Sequence, residues 1–315
     1  MAIQLYRRLE EVRFDPRSVI TVGTFDGLHR GHQAIIEELK KDAQARQAST
    51  TVVTFDPHPQ IVLQRPDRSP VQILTTTAEK IALLQLQNVD RLFVIPFTLD
   101  FSRTASEIFV REMLLQRAGM QSMVIGHDHG FGKNREGDFA TLQRLGSELG
   151  FAVREIPPFE LSGVVVSSTK IREALLQGEV ENAAAYLGRP YSLQGVVEHG
   201  EERGRLLGFP TANLRPTDAH KLIPAHGVYA VWVNVEAGGP TKYPGMMNIG
   251  MRPTFGKLAR TLEVHLLDFS GDLYGATLQV HFAARLRDEQ KFDSPQALSA
   301  QLQRDKAAAN KVLKK

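Results

Sequence analysis

A chain of 315 residues exceeds the roughly 250–300 at which a single hydrophobic core stops growing, so two domains are expected. Its 42% hydrophobic and 23% charged residues are ordinary for a globular protein, and a net charge of +3 suits anionic small substrates while falling short of a nucleic-acid binder's concentrated basic face. Cysteine is absent, which excludes disulfides, thiolate catalysis and zinc–thiolate sites.

The first residues are charged throughout and do not read as a signal peptide. No apolar run approaches the roughly 18 residues of a membrane span, so a cytoplasmic protein is expected. Along the first half, short apolar runs alternate with amphipathic stretches. Strands are predicted at Ser18–Gly23, Thr51–Phe55, Arg91–Ile95, Ser122–Gly126 and Phe151–Ile156, separated by helices at His32–Arg46, Ala78–Gln87, Ala105–Gln116 and Phe139–Leu149. That alternation reads as βαβ units around a parallel sheet, where ligands sit beyond the carboxyl ends of strands. The polar, Gly-rich loops after Gly23 and Gly126 are therefore the places for chemistry.

Two short helices follow, Ser168–Gln177 and Val180–Leu187, before Gly188-Arg189-Pro190 breaks the chain. Apolar alternation then marks strands at Ser192–Glu198, Val228–Val235, Met246–Ile249, Leu262–Leu267 and Thr277–Phe282, with a last helix from about Pro295 to Leu313. Strands without intervening helices argue for an antiparallel barrel or sandwich. The fold class is thus α/β plus all-β, with an N-terminal domain over 1–187 and a C-terminal one over 188–315.

The string Gly23-Thr24-Phe25-Asp26-Gly27-Leu28-His29-Arg30-Gly31-His32 joins the first strand to the first helix. Two histidines at a helix start set imidazole donors beside free backbone N–H groups and the positive end of the dipole, an arrangement suited to anions. Glycines around them let a polyphosphate approach the backbone. A bare HxxH is more often a pair of surface histidines. Here, however, it resembles the H-x-G-H signature of nucleotidylyltransferases, and Ser167-Ser168-Thr169-Lys170-Ile171-Arg172 resembles their second signature. The resemblance implies a Rossmann-like domain with His29 and His32 as catalytic residues. Gly23, Thr24, Phe25, Asp26 and Gly31 would then bind nucleotide, and Ser168, Thr169, Lys170 and Arg172 the β- and γ-phosphates.

The loop Gly126-His127-Asp128-His129-Gly130-Phe131-Gly132-Lys133 lacks Walker spacing. It reads as a polar loop, the alternative being a metal cluster using His127 and His129; the resemblance implies that Gly126 and Asp128 contribute to nucleotide binding. The Thr54-Phe55-Asp56-Pro57-His58-Pro59 string also resembles the family, with no role assigned to it.

Downstream stand Gly204-Arg205-Leu206-Leu207-Gly208-Phe209-Pro210-Thr211-Ala212-Asn213-Leu214, Met247-Asn248-Ile249-Gly250-Met251-Arg252-Pro253-Thr254-Phe255 and Leu262-Glu263-Val264-His265-Leu266-Leu267-Asp268-Phe269. Taken singly, the first is a turn and Glu263 is a polar residue on the solvent side of a strand. Together, and with Lys291-Phe292-Asp293-Ser294, they resemble the riboflavin kinase module. That resemblance implies a six-stranded antiparallel β-barrel with a C-terminal helix. Gly208, Pro210, Thr211 and Asn213 would hold nucleotide phosphate, Thr211 and Asn213 would ligate Mg²⁺, and Glu263 would be the general base.

Both halves thus resemble the bacterial bifunctional riboflavin kinase/FMN adenylyltransferase (FAD synthetase) family, departing from its pattern at His129. The resemblance implies riboflavin, FMN and ATP as substrates, FAD as product and Mg²⁺ as cofactor. It implies no nucleic-acid or membrane partner, and a monomer or weak oligomer. A nucleotidylyltransferase with another phosphorylated acceptor would leave the second half without a purpose. A non-catalytic RNA-binding barrel would need basic and aromatic residues interleaved on its strands, and one Trp and six Tyr form no such series.

Overall fold

The computed structural model describes residues 2–314 except 65–69, 128–129, 131, 133–136, 200–207, 236–240 and 255–256, with backbone alone at 252–254 and 257–259. It divides into two compact units between Ser168 and Thr169.

The first unit carries a parallel sheet of Gln4–Tyr6 (β1), Ser18–Val22 (β2), Ser49–Asp56 (β3), Arg91–Pro96 (β4), Met120–Gly126 (β5) and Ala152–Ile156 (β6). Helices are Arg30–Arg46 (α1), Pro59–Val62 (α2), Thr77–Leu86 (α3), Ser106–Ile108 (α4) and Phe139–Leu149 (α5), and a hairpin joins Glu160–Leu161 (β7) to Val164–Val165 (β8). Adjacent strand residues face opposite sides, and both sides are covered. Val19, Val52, Leu92 and Val124 pack with Ile36 and Leu39 of α1 and Leu84 of α3. Ile20, Val53, Phe93 and Met123 pack with Phe109, Leu114 and, from α5, Leu142 and Leu145. Burial on both faces is why these strands read as continuous apolar runs rather than alternating ones. The helix expected over Ala105–Gln116 is α-helical only in α4 and continues as a π-helix over Phe109–Arg117, setting Phe109, Val110 and Leu114 in the core.

Strand order is β1-β4-β3-β2-β5-β6. The sheet grows outward from β2, with β3 on one side and β5 on the other, so the loops after the neighbouring strands β2 and β5 open side by side at a topological switch point.

In the second unit, α6 (Ser168–Leu176, whose first residue closes the first unit) and α7 (Val180–Leu187) precede a closed barrel. Its strands are Ser192–Glu198 (β9), Ala212–Pro216 (β10), Gly227–Val235 (β11), Lys242–Thr254 (β12), Lys257–Leu266 (β13) and Thr277–Arg287 (β14), antiparallel in the order β10-β13-β12-β11-β14-β9. The sandwich alternative is thereby removed. Tyr229, Val231, Met247, Val264, Val280 and Phe282 are fully buried in the barrel. Ala230, Met246 and Leu267 pack instead with Phe209 against Ala309 and Leu313 of the last helix, Pro295–Leu313 (α8). Arg287 of β14 grips buried Asp305 of α8 with Nε 2.9 Å from Oδ1 and Nη2 2.7 Å from Oδ2.

Candidate active sites

After β2 the chain turns through a loop whose apolar side chains point into the core. Phe25 and Leu28 adopt left-handed backbone angles (φ 48° and 40°) and bury their side chains almost completely. Each remaining loop residue is tied down by a partner elsewhere in the unit. The Thr54 hydroxyl donates to the Thr24 carbonyl at 3.2 Å. The buried Asp26 carboxylate accepts the N–H groups of Leu74 (2.9 Å) and Thr75 (3.0 Å). Gly27 N–H donates to Thr75 Oγ1 at 3.0 Å, and Ser168 Oγ donates to the Asp26 carbonyl at 2.8 Å. The two signatures thus meet, since Ser168 lies in the second and Asp26 in the first.

His29 is the N-cap of α1, its Nδ1 accepting the His32 N–H at 3.3 Å, where Ser, Thr, Asp or Asn would ordinarily serve. Acceptance at Nδ1 puts the proton of the neutral ring on Nε2. The His29 and His32 rings stack with centroids 3.6 Å apart at 19°, and the Phe25 ring meets His32 edge-on at 5.1 Å. Gly31 makes room for this, because a Cβ there would stand 3.2 Å from the His29 ring. At the end of β5, a Cβ on Gly126 would meet Ile35 of α1 at 2.9 Å, so glycine lets α1 approach the strand end. Asp128 and His129 lie outside the described residues, and with them the histidine-cluster alternative. Thr169, Lys170 and Arg172 stand on α6, where Lys170 pairs with Glu173 at 2.8 Å.

The second constellation is built by strand register. Asn213 of β10 lies directly opposite Glu263 of β13, and Asn248 of β12 lies opposite Glu263 on its other side. Residues so paired share a face, with Cβ atoms roughly 5 Å apart. All three are half-buried, whereas their neighbours Leu262, Val264 and Met247 are buried. The segment before β10 is anchored by His265, whose Nδ1 lies 2.7 Å from the Pro210 carbonyl, and by buried Phe209, whose ring meets His265 at 5.2 Å. A carbonyl only accepts, so His265 carries its proton on Nδ1. Burial holds the imidazole below its ordinary pKa and Lys306 adds to this, against the opposing pull of the Pro210 contact. Thr211, two residues before Asn213, is half-buried and Gly208 takes a left-handed φ of 76°.

Residues 12–170 match the family model described as FAD synthetase, and residues 187–313 match the riboflavin kinase model. The chain is 38% identical to the bifunctional riboflavin kinase/FMN adenylyltransferase of Escherichia coli (strain K12), over 92% of this chain and 91% of that protein. It belongs to this bifunctional family. The Pseudomonas fluorescens member is 39% identical over 98% of this chain and 97% of its own length. A crystal structure described as a macrolide-efflux protein from Streptococcus pneumoniae shares the fold end to end, with a TM-score of 0.88, 31% identity and coverage of 98% and 99%. Among the described residues here, no helix is long and apolar enough to cross a membrane.

Membership of the bifunctional family is legible in the motifs, but several residues that hold the two sites together are not. Leu74 and Thr75 act through backbone N–H groups held by Asp26, while Asn248 and His265, quoted in the strings but given no role there, take their places from strand register and from the Pro210 carbonyl. The signal that could have found Leu74 and Thr75 is the buried loop carboxylate Asp26, which demands donors.

Proposed function

We propose that FAD formation from riboflavin is divided between two sites, with the barrel row around Glu263 phosphorylating riboflavin and the β2–α1 loop carrying adenylyl transfer to FMN. The observation that carries this division is that each motif set gathers a distinct chemistry: stacked imidazoles at a helix start in the first unit, and a carboxylate flanked by two amides in the second.

A primary alcohol needs a base at neutral pH. Glu263 takes the proton of riboflavin's terminal ribityl hydroxyl as that oxygen bonds to the γ-phosphorus of ATP and the bond to ADP breaks. Thr211 offers a hydroxyl and Asn213, opposite Glu263, an amide carbonyl; both are hard oxygens two positions apart and so would suit Mg²⁺. The ion they would hold would supply charge neutralisation at the transferring phosphate. His265 and Gly208 set the approach of the Pro210–Asn213 segment by fixing the Pro210 carbonyl and permitting the turn.

FMN already carries an ionised phosphate, so the second reaction needs positioning and charge neutralisation more than a base. A phosphate oxygen of FMN attacks the α-phosphorus of ATP, and pyrophosphate leaves. His29, with Nε2 as its donor, and His32 face that charge at the start of α1. Gly23, Gly31 and Gly126 allow close approach, and Thr24, Phe25 and Asp26 act through the shape of the loop. Roles for Asp128, Thr169, Lys170 and Arg172 at the polyphosphate rest on the motif resemblance. The reading includes a cytoplasmic, monomeric or weakly oligomeric enzyme, since neither reaction calls for a second copy of the chain.

Crossed variants test the division. Glu263→Gln is expected to slow riboflavin phosphorylation by about 10²–10⁴-fold, while added FMN still becomes FAD. His29→Ala is expected to slow FAD formation by about 10²–10³-fold, the usual cost of one lost oxyanion-type donor, while FMN accumulates. Equal loss of both activities in either variant, or a Glu263→Gln kinase rate within about threefold of wild type, contradicts the division.

A further inference from the structure

Lys80 stands in the first turn of α3 and is buried, although lysine is among the residues most rarely buried. Its Nζ donates to Thr54 Oγ1 at 3.1 Å, and Thr54, itself fully buried, donates to the Thr24 carbonyl at 3.2 Å. An ammonium has no lone pair and a carbonyl has no proton, so this relay runs in one direction only, from Lys80 through Thr54 into the phosphate loop. A neutral amine could accept the Thr54 proton instead and release the Thr24 carbonyl.

The helix that bears Lys80 is clamped to the same loop. Its N-terminus is closed by a capping box between Thr76 and Glu79, and the preceding Leu74 and Thr75 N–H groups are held by Asp26. The charges acting on Lys80 are Asp26, from the loop after β2, and Asp56, at the end of β3; both favour the ammonium. Burial outweighs them and pulls its pKa down to about 8. A residue kept only to fill this space would be an apolar one, since burying an ammonium is costly.

We infer that Lys80 is a positioning residue for adenylyl transfer, whose ammonium fixes the Thr54–Thr24 hydrogen bond and thereby the shape and local positive field of the β2–α1 loop where the polyphosphate approaches. This gives Thr54 and Asp56 of the Thr54–Pro59 string a purpose. It rests on assigning adenylyl transfer to that loop. The relevant field is a buried charge behind the loop, screened little by salt.

The test measures conversion of added FMN and ATP to FAD across pH 6.5–9.5 for the full chain, for Lys80→Met and for Thr54→Val, with riboflavin phosphorylation followed alongside. Lys80→Met should lower kcat for FAD formation at pH 7 at least tenfold, with riboflavin phosphorylation within twofold of wild type. The wild-type rate should fall on the alkaline side as Lys80 loses its proton near pH 8, and Lys80→Met should lack that limb. Thr54→Val, which keeps the charge and cuts the relay, should also lower kcat, and it decides the matter if Lys80→Met does not fold. FAD formation within twofold of wild type in a folded Lys80→Met, or in Thr54→Val if that variant must decide, overturns the inference. An unchanged alkaline limb in Lys80→Met overturns it too. Failure of the wild-type chain to convert FMN at all would instead sink the adenylyl-transfer assignment itself.

Discussion

His281 of β14 sets its Nε2 3.0 Å from the Asn234 Oδ1, while the Asn234 amide nitrogen donates to the Thr241 carbonyl at 3.2 Å. An amide oxygen only accepts, so the imidazole donates from Nε2–H. Burial, helped by the Lys242 charge, pushes its pKa down to about 4. In the unfolded chain an ordinary histidine titrates near 6.5, so between those values the unfolded state holds the extra proton. The stability this neutral histidine allows is full above about pH 6.5 and is lost as pH falls toward 4. The melting temperature of the 169–315 fragment should therefore decline over that window, and His281→Gln should decline less steeply. Parallel curves for the two would remove His281 as the cause. The same rule separates what could and could not be seen in the chain alone. His29, His32 and Glu263 were singled out by the motif resemblance, since taken singly each reads as an ordinary surface polar residue. Lys80 was not, because a lysine at a helix start reads as solvated, and only burial beneath β3 makes it unusual.

Several elements were legible closely: α7, β9 and α8 match their predicted ranges, and β2 to β6 differ by one or two residues. The long barrel strands run well past theirs, β12 over Lys242–Thr254 where Met246–Ile249 was expected, β13 starting at Lys257 rather than Leu262 and β14 ending at Arg287 rather than Phe282. Shorter or polar elements were not legible. β10 (Ala212–Pro216) carries Asn213 and Arg215 between Pro210 and Pro216, a composition that reads as a turn, and it is a strand because β9 and β13 pair with it on both sides. β1 has three residues and depends on β4 in the same way. The boundary between domains is similarly a matter of packing. The sequence break at Gly188 suggests a start there, whereas α6 and α7 group with the barrel: α7 packs on β14, and Ala225 N–H donates to the Leu175 carbonyl at 2.9 Å. Val180 and Leu187 are fully buried, worth roughly 1.5–3 kcal/mol each. We propose that 188 marks the start of the kinase motif set and 169 the start of its stable unit. A 169–315 fragment should phosphorylate riboflavin and melt on the order of 10 °C above a 188–315 fragment. Equal melting temperatures would place the stable boundary at 188.

At the scale of the whole molecule, a doubly wound sheet supplies a helix N-terminus at its switch point, and a closed barrel supplies a carboxylate between two amides. These are different answers to two phosphate problems. One reaction transfers the γ-phosphoryl group to an alcohol and releases ADP; the other transfers adenylyl to a phosphate and releases pyrophosphate. The chain's modest charge of +3 fits this division, because the required cationic and donor groups are concentrated at sites rather than spread over a face. The most direct measurement follows all reactants in one incubation of the full chain with riboflavin, excess ATP and Mg²⁺. Riboflavin, FMN, FAD, ADP and pyrophosphate are resolved against time. The account predicts FMN rising before FAD, with one ADP released for each flavin phosphorylated (FMN plus FAD) and one pyrophosphate for each FAD formed. FAD appearing with no pyrophosphate, or folded protein forming neither flavin product, would contradict it.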